Sequence, residues 1–276
     1  MDFSKLDALK ARLEDLRPFP SEVAHCLREN LVLHWIYHSN AIEGGAFTPE
    51  ETKRVLENLA IGGKTLREHF EVINHRNGIL YIENAVRRKE PFSEWQMRNI
   101  NRLILKNIDD CNGGRYRRTK SASTNSDKQP EIEPTNMIPI LRYAKDRANS
   151  ACPTSSDSLS VPEAMAGLVR RHLDTSQALH PLERATRIHA DFIGIHPFIN
   201  GNGHTARLLM NLALLKYGYP PAIIPVEKQL RYYDALNLAC ITKNRIPLLA
   251  LISECVETNL RWHMQSIKGL ISQFAP

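Results

Sequence analysis

Residues 196–211, HPFINGNGHTARLLMN, join two apolar helical segments through a short turn that contains one proline and two glycines. In the segment before the turn, residues 182–195, apolar side chains share one helical face, and Pro197 prevents that helix from continuing. The segment after it, residues 207–218, is apolar nearly all round and ends at Gly218, which is typical of a buried helix. The sequence therefore predicts a helical core around one central helix, with the turn at its positive end.

Helical spacing recurs along most of the chain, and sequences typical of capping boxes begin at Thr48 and Ser93. Helices are predicted at residues 5–16, 21–38, 48–58, 64–87, 93–107, 161–173, 181–195, 203–217, 227–243 and 246–265. The exception is residues 109–139, where Gly, Pro, Ser and Asn break the helical period and a short hairpin is expected. The predicted fold class is all-α, a compact helical bundle with a small β-hairpin insertion.

Composition narrows the class of protein without naming a ligand. The chain has 276 residues, of which 42% are hydrophobic, enough to bury a core, and its formal net charge is +6. This mild positive excess favours anionic partners, and nucleotides, nucleic acids and acidic protein surfaces all fit it. Two short basic runs, residues 87–89 and 115–120, are more typical of solvated faces than of groove-reading elements, so nucleic-acid binding is not expected.

Cysteine usage and hydropathy indicate the compartment. The five cysteines are widely spaced and form no CxxC pair, which predicts neither a disulfide framework nor a thiolate metal site and favours a reducing environment. The N-terminal segment is charged and amphipathic, and no run of about 18 apolar residues occurs. We expect a soluble, cytoplasmic protein without a membrane partner. A translocated effector stays open, because a signal for a dedicated secretion apparatus would not show in this pattern.

The turn itself carries groups suited to phosphate chemistry. Backbone amides of residues 200–203 lie at a helix N-terminus, where the helix dipole and glycine allow close approach of an anion. Arg207 can add a bidentate contact, and His196 has the basicity to accept a proton near neutral pH. Together these groups favour phosphoryl or nucleotidyl transfer. The turn alone leaves two alternatives open: a purely connecting turn with a structural histidine, and a zinc site formed by His189, His196 and His204, which no HExxH or Cys/His pattern supports.

The turn resembles the signature of the Fic family, HxFx(D/E)GNGRxxR. The matching positions are His196, Phe198, Gly201, Asn202, Gly203 and Arg207. The segments GRYRRTKSA (114–122), LHPLERATRIHADFIGIHPF (179–198), YGYPPAIIP and RYYDALNLA are also similar to parts of the family, so the likeness covers roughly residues 20–260. It implies a Fic-type helical bundle.

The resemblance implies an enzyme that binds ATP with Mg²⁺ and transfers AMP to a Ser, Thr or Tyr hydroxyl of a target protein. His196 is then the general base, and Phe198 anchors the turn in the core. The implied nucleotide-binding residues are Gly201, Asn202, Gly203, His204, Arg207, Tyr232 and Tyr233, with the last two walling the adenosine pocket. The implied flap hairpin pins the target as an added strand and includes Gly114, Arg115, Tyr116, Arg117 and Thr119.

A second motif, SNAIEG at residues 39–44, follows the helix predicted at residues 21–38. Taken alone, Glu43 is a solvated charge at a helix end. Beside a Fic core, the motif resembles the family's inhibitory pattern (S/T)xxxE(G/N), which begins here at Ser39 and in which Glu43 pairs with Arg207. That pair occupies the guanidinium needed by the γ-phosphate of ATP. In some relatives the same glutamate supports removal of AMP by positioning a water.

Two positions depart from the common signature. Asn200 replaces the acidic Mg²⁺ ligand, so it offers a carbonyl oxygen without negative charge. His204 replaces the first arginine and cannot reproduce a permanently charged fork. The leading hypothesis is an autoinhibited protein adenylyltransferase. The alternatives are a de-AMPylating or bifunctional Fic enzyme, a transferase with another phosphate-containing donor, and a degenerate Fic module that binds nucleotide or a partner without catalysis.

Three regions are expected. Residues 1–95 form an N-terminal helical region that includes the inhibitory helix, residues 96–265 form the Fic catalytic core, and residues 266–276 form a C-terminal tail. Analogy with the family also implies a homodimer through the N-terminal helices.

Overall fold

The computed structural model describes residues 1–117, 160–174 and 178–274, and every regular element in these ranges is helical. The all-α fold class is therefore confirmed. Most of the predicted hairpin lies outside the described residues. The helices, numbered in chain order, are α1 (Ser4–Glu14), α2 (Ser21–Ile42), α3 (Pro49–Leu56), α4 (Leu66–Arg87), α5 (Glu94–Leu105), α6 (Val161–Asp174), α7 (Pro181–Ile195), α8 (Asn202–Leu215), α9 (Gln229–Thr242) and α10 (Ile246–Phe274), with a 3₁₀ turn at Val226–Lys228.

The centre of the fold is α8. Its side chains Leu208, Leu209, Leu212 and Leu214 are completely buried, and the helix packs against α7, α4, α5 and α2. Such all-round burial explains why this segment is apolar on every face. Because α8 is fixed on all sides, the turn at its N-terminus is held on a rigid support.

Side-chain caps fix the beginnings of the helices only partly as predicted. Thr48 forms a complete capping box with Glu51 at the start of α3. Ser93 accepts a hydrogen bond from the amide of Gln96 and so caps α5, but the Gln96 side chain contacts Glu90 instead of closing the box. The start of α5 therefore has the first hydrogen bond of a capping box, from the Gln96 amide to Ser93, and not the second one that the sequence pattern predicts.

The helix α2 ends at Ile42, four residues beyond its predicted end. Sequence alone favoured an earlier end, since Ser39 and Asn40 are weak helix formers. Both are buried in the structure, and the last turn of α2 makes tertiary contacts through its backbone carbonyls. Tertiary packing therefore outweighs local propensity here and places residues 39–42 of the SNAIEG motif on the helix itself.

The helix α10 also extends beyond its predicted end at residue 265 and continues to Phe274, through most of the expected C-terminal tail. Ile267 is 1% exposed and continues the apolar spacing begun by Leu260 and Met264. That spacing lies in the sequence and extends the helix toward Pro276, the next residue that breaks a helix. Among the described residues, no helix combines the length and the apolar character needed to span a membrane.

Candidate functional site

His196 lies at the C-cap of α7 in the left-handed conformation, with φ 50° and ψ 60°. Its amide donates to the carbonyl of Phe192 at 3.0 Å, which ends the helix and turns the chain toward Pro197. The Arg117 side chain holds this corner, because its Nε donates to the His196 carbonyl at 2.8 Å and its Nη2 to the Ile195 carbonyl at 3.3 Å. The imidazole therefore stands on a backbone corner that α7 and Arg117 both fix.

The turn between α7 and α8 is closed by the side chain of Asn202. Its Oδ1 accepts from the amide of Phe198 at 3.1 Å, and its Nδ2 donates to the carbonyl of the same residue at 2.8 Å. The ring of Phe198 is completely buried between those of Phe192 and Tyr116. The Asn202 side chain thus shapes the turn, which leaves its backbone amide at the N-terminus of α8 for an anion.

A buried residue that sequence reasoning missed, Asn101 of α5, ties this turn to the flap. Its Nδ2 donates to the Asn200 carbonyl at 3.0 Å and lies 3.3 Å from Oγ1 of Thr205, and its Oδ1 accepts from the Gly114 amide at 2.9 Å. A β-carbon on Gly201, which has φ +74°, would lie 3.1 Å from Nδ2 of Asn101. The turn conformation and the packing of Asn101 therefore both favour glycine at residue 201.

The Asn200 side chain is exposed and points away from the core. Its Nδ2 donates to Oδ2 of Asp109 at 3.0 Å. Burial alone would raise the pKa of Asp109, but hydrogen bonds from Asn112 and Asn200 outweigh it and lower that pKa. Asp109 is therefore a carboxylate near neutral pH, adjacent to the position where the signature has an acidic residue.

The carboxylate of Glu43 lies against the backbone of Gly203 at the N-terminus of α8. A β-carbon on Gly203 would collide with Oε1 of Glu43 and would lie 3.2 Å from Nη1 of Arg207. Because backbone amides at a helix N-terminus attract negative charge, Glu43 holds a place suited to a phosphate oxygen. The glycine at residue 203 permits this close approach.

Arg207 is 3% exposed and binds the last turn of α2 through three nitrogens. Its Nη1 donates to Oε1 of Glu43 at 2.8 Å, its Nε to Oγ of Ser39 at 2.9 Å, and its Nη2 to the Ser39 carbonyl at 3.0 Å. Burial alone would lower the pKa of Arg207, but the charge of Glu43 raises it above the usual range. The guanidinium is thus charged and fully engaged by the SNAIEG motif.

His204 also contacts the last turn of helix α2. Its Nε2 lies 2.9 Å from Oδ1 of Asn40, and its ring meets that of His75 edge-on at 5.3 Å. Burial and the charge of Arg207 hold the pKa of His204 well below its usual value, so the ring is neutral. Among the described residues, Nδ2 of Asn40 and both ring nitrogens of the fully buried His75 have no hydrogen-bond partner. Asn40 occupies a variable position of the inhibitory pattern, which is why sequence reasoning missed it.

The two tyrosines of α9 differ in position. Tyr232 is 1% exposed and its hydroxyl lies 2.9 Å from Nε2 of His189, so its side chain lies in the core, and its place in an adenosine pocket stays a prediction. The Tyr233 hydroxyl donates to the Ile42 carbonyl at 3.0 Å, and Nε2 of Gln229 donates to the same oxygen at 2.6 Å. Helix α9 therefore also binds the end of α2, a contact that sequence reasoning did not anticipate.

The flap residues are described only as far as Arg117, and Thr119 lies outside the described residues. The Gly114 carbonyl accepts from Nε of Arg98 at 2.8 Å, and the Arg117 amide donates to the Pro197 carbonyl at 2.9 Å. Tyr116 is half-buried and its hydroxyl donates to Oε2 of Glu94 at 3.0 Å. Residues 114–117 therefore run beside the His196 corner, and the exposed Arg115 lies among them.

The three histidines of the zinc alternative have separate partners. His189 faces Tyr232, His204 faces Asn40, and His196 lies at the α7 corner. Within the ranges that the structure describes, no group of three or more His, Cys, Asp or Glu residues is arranged to hold a metal ion.

The environment of His196 leads to a prediction about its protonation. Its pKa is lowered because burial disfavours the imidazolium and because Arg117 is nearby, while Glu43 acts in the opposite direction. We expect NMR titration of the free protein to give a midpoint below 6.5, and Arg117→Gln to raise that midpoint by removing a cation. Arg115→Gln, the neighbouring exposed arginine, is the matched control. An unchanged midpoint in Arg117→Gln would contradict the assignment.

Comparison with known proteins identifies the fold. Residues 91–214 match the model of the Fic/DOC family. The protein adenylyltransferase Fic of Drosophila willistoni is 30% identical over 271 residues, which cover 98% of this chain and 49% of that protein. Its counterpart in Drosophila grimshawi is 31% identical over 239 residues, which cover 86% of this chain and 44% of that protein. The chain thus spans about half the length of the curated relatives it matches.

Solved structures share the architecture. Fic-1 from C. elegans superposes with a TM-score of 0.72 at 25% identity, over 96% of this chain and 71% of that chain. A Fic domain containing signaling protein from Bacteroides thetaiotaomicron gives a TM-score of 0.75 at 26% identity, over 96% of this chain and 98% of that chain. The family match includes the turn between α7 and α8, the relatives and the solved structures share the sequence and the fold around it, and the chain contains a Fic/DOC domain at residues 91–214.

Proposed function

We propose that this chain is a protein adenylyltransferase that moves AMP from ATP to a Ser, Thr or Tyr hydroxyl of a target protein, and that Glu43 restrains it. The observation that carries the proposal is the anion-binding turn at the N-terminus of α8, which the Glu43 carboxylate occupies while it binds Arg207. A carboxylate that lies at a helix N-terminus and binds a buried guanidinium is in an environment suited to phosphate. The names of the curated relatives support the same activity.

The chemistry needs positioning and charge neutralisation more than covalent catalysis. The target hydroxyl attacks the α-phosphorus of ATP, the bond from that phosphorus to the bridging oxygen breaks, and pyrophosphate leaves. A neutral His196 accepts the hydroxyl proton, which suits its lowered pKa. The amides of residues 201–203 hold the phosphates at the helix N-terminus, and Arg207 holds the outer phosphate once Glu43 leaves it. Residues of the flap, 114–119, hold the target segment.

The donor set also suits Mg²⁺, which prefers oxygen ligands and keeps several waters beside substrate phosphates. Oδ1 of Asn200 is the oxygen that the turn offers. An ion held there would neutralise negative charge on the phosphates of ATP. We therefore include ATP as the substrate and Mg²⁺ as the metal in the proposal.

The direct test is labelling of a lysate with α-³²P-ATP by the unmodified protein, Glu43→Gly and His196→Ala. The proposal expects weak labelling by the unmodified protein, strong labelling by Glu43→Gly and none by His196→Ala. The labelled bands identify the target. Equal signal from all three proteins would refute an autoinhibited transferase, and retained ATP binding without transfer to any protein would favour a non-catalytic nucleotide-binding module.

A second activity, removal of AMP from modified targets, is favoured by the partial exposure of Glu43. Its side chain is 34% exposed although it pairs with a nearly buried arginine, so water reaches the carboxylate beside the phosphate site. A carboxylate in that place can orient a water toward the α-phosphorus. Incubation with an AMP-modified target separates the two activities, because hydrolysis releases AMP and requires Glu43, whereas transfer does not.

His204 limits phosphate binding in this proposal. We expect His204→Arg, measured in the Glu43→Gly background, to tighten ATP binding by about tenfold or more, because it adds a charge-assisted donor. The fully buried His75 ring, which has no hydrogen-bond partner among the described residues, offers one acceptor for the new guanidinium. His204→Gln is the matched control, since it keeps a donor toward Asn40 without adding charge. Equal affinities for the two variants, measured by calorimetry, would show that residue 204 does not limit binding.

We propose a cytoplasmic protein in keeping with its free cysteines Cys26, Cys111, Cys240 and Cys255. We also propose a division into an N-terminal regulatory region (1–95), a catalytic core (96–265) and a short C-terminal region (266–276). A homodimer through the N-terminal helices is expected by analogy, and sedimentation analysis of the purified protein tests it.

A further inference from the structure

At the position where the signature has an acidic metal ligand, this chain has the neutral Asn200. A neighbouring loop contains a carboxylate that contacts the Asn200 side chain. Nδ2 of Asn200 donates to Oδ2 of Asp109 at 3.0 Å, although the two residues are 91 positions apart in the sequence. We infer that Asp109, from the loop after α5, supplies the carboxylate of the divalent-cation site in place of the signature residue. This inference rests on the proposed function.

The loop holds Asp109 in one orientation. Its amide donates to the Leu105 carbonyl at 2.8 Å, and its carbonyl accepts from the Gly113 amide at 3.0 Å. Both carboxylate oxygens lie close to Nδ2 of Asn112, at 2.9 and 3.0 Å. Among the residues that the structure describes, no Lys or Arg forms a salt bridge with Asp109. Arg67 acts on the carboxylate only from a distance, as one of the causes that lower the pKa of Asp109, and it pairs with Glu71 instead.

Asp110, the acidic residue next to Asp109, has a different role. The side chain of Asp110 is exposed, and its Oδ1 accepts from the amide of Asn107 at 3.0 Å. It stabilises the loop and makes no hydrogen bond to the turn. Of the two consecutive carboxylates, only Asp109 contacts Asn200, so the pair provides a matched comparison.

The contact also orients the Asn200 amide. Because Nδ2 faces Asp109, the carbonyl oxygen Oδ1 lies on the other edge of the planar amide, and it accepts no hydrogen bond from the described residues. The backbone of Asn200 is held separately, since its carbonyl accepts from the buried Asn101. The Asn200 amide and the Asp109 carboxylate are thus neighbouring oxygen-bearing groups, one neutral and one charged, beside the turn that leads into α8. Mg²⁺ in phosphate sites takes one or two carboxylates together with waters and phosphates, and this pair meets that requirement.

The test measures metal affinity directly, with Mn²⁺ as the probe and α,β-methylene-ATP as the nucleotide. The EPR signal of free Mn²⁺ is followed in titrations of the Glu43→Gly protein. Four further variants are made in that background: the single substitutions Asp109→Asn, Asp110→Asn and Asn200→Asp, and the double variant that combines Asp109→Asn with Asn200→Asp. Asp109→Asn is isosteric and keeps an oxygen to accept from Asn200, and thermal melting checks its fold. We expect it to weaken Mn²⁺ binding by about tenfold or more.

Asp110→Asn should leave Mn²⁺ affinity unchanged, and the double variant should recover it, because the charge returns to the site from the signature position. Nucleotide-dependent Mn²⁺ binding that is equal in Asp109→Asn and Asp110→Asn would overturn the inference and leave the proposed function standing. A double variant as weak as Asp109→Asn would also overturn it, since the carboxylate would then act through the loop conformation. Failure of every variant to bind the nucleotide would overturn the proposed function and the inference together.

Discussion

Replacement of Glu43 by glycine is expected to raise the rate of AMP transfer by about 10- to 100-fold. A hydrogen bond to a charged group is worth about 1.5–3 kcal/mol, and about 1.4 kcal/mol corresponds to a factor of ten in an equilibrium constant. The Oε1–Nη1 contact to Arg207 at 2.8 Å is of this kind, and ATP must displace it. Arg207 keeps its two bonds to Ser39, so the variant stays folded. Initial rates of label transfer to an identified target measure the effect.

The control for Glu43→Gly is Glu57→Gly. Glu57 is the C-cap of α3 with φ −82° and ψ 9°, close to the φ −86° and ψ 5° of Glu43 at the C-cap of α2. It is exposed, so the substitution repeats the backbone change without touching the site. An equal rise in both variants would trace the effect to chain flexibility, and no rise in Glu43→Gly would remove the inhibitory role.

Loss of the His196 imidazole is expected to reduce transfer by about 10²- to 10⁴-fold, the usual contribution of a general base. The effect should fall on the chemical step, because the phosphate contacts come from the α8 amides and Arg207. Single-turnover rates in the Glu43→Gly background measure it, and calorimetry checks that ATP affinity is retained. His196→Asn accompanies His196→Ala, because asparagine tolerates the left-handed backbone of this residue.

Lys243→Ala provides the matched control for that backbone strain. Lys243 is the C-cap of α9, with φ 62°, and it is exposed and does not contact the turn. Alanine at residue 243 therefore adopts an equally unfavourable conformation outside the site. If His196→Ala and His196→Asn transferred AMP as fast as Lys243→Ala, His196 would not be the base.

The features that sequence predicted well are local. The turn between α7 and α8 depends on residues within one short segment, with Pro197 ending one helix and Gly201 permitting the next to begin. The complete capping box at Thr48 is local in the same sense. Such patterns predict structure because the atoms that make the hydrogen bonds lie within a few residues of each other.

The features that sequence missed depend on distant contacts. The last turn of α2 is helical because Arg207, 168 residues beyond Ser39, binds it, and no local pattern contains that information. The contact between Asp109 and Asn200 is of the same kind. Tyr232 and Tyr233 present a different limit, since adjacent residues on a helix point about 100° apart and only the packing of α9 decides which one is buried.

The hydrogen bonds to the Ser39 and Ile42 carbonyls at the end of α2 determine which movement frees Arg207 from Glu43. The Ser39 carbonyl is bound by Arg207, and the Ile42 carbonyl by Gln229 and Tyr233, whereas Glu43 contacts Arg207 through its side chain. The backbone can therefore remain docked while the carboxylate rotates toward solvent. Rotamer changes of exposed side chains take picoseconds to nanoseconds, and collective helix movements take microseconds to milliseconds. Release of Glu43 by rotation of its side chain therefore requires no collective movement of α2.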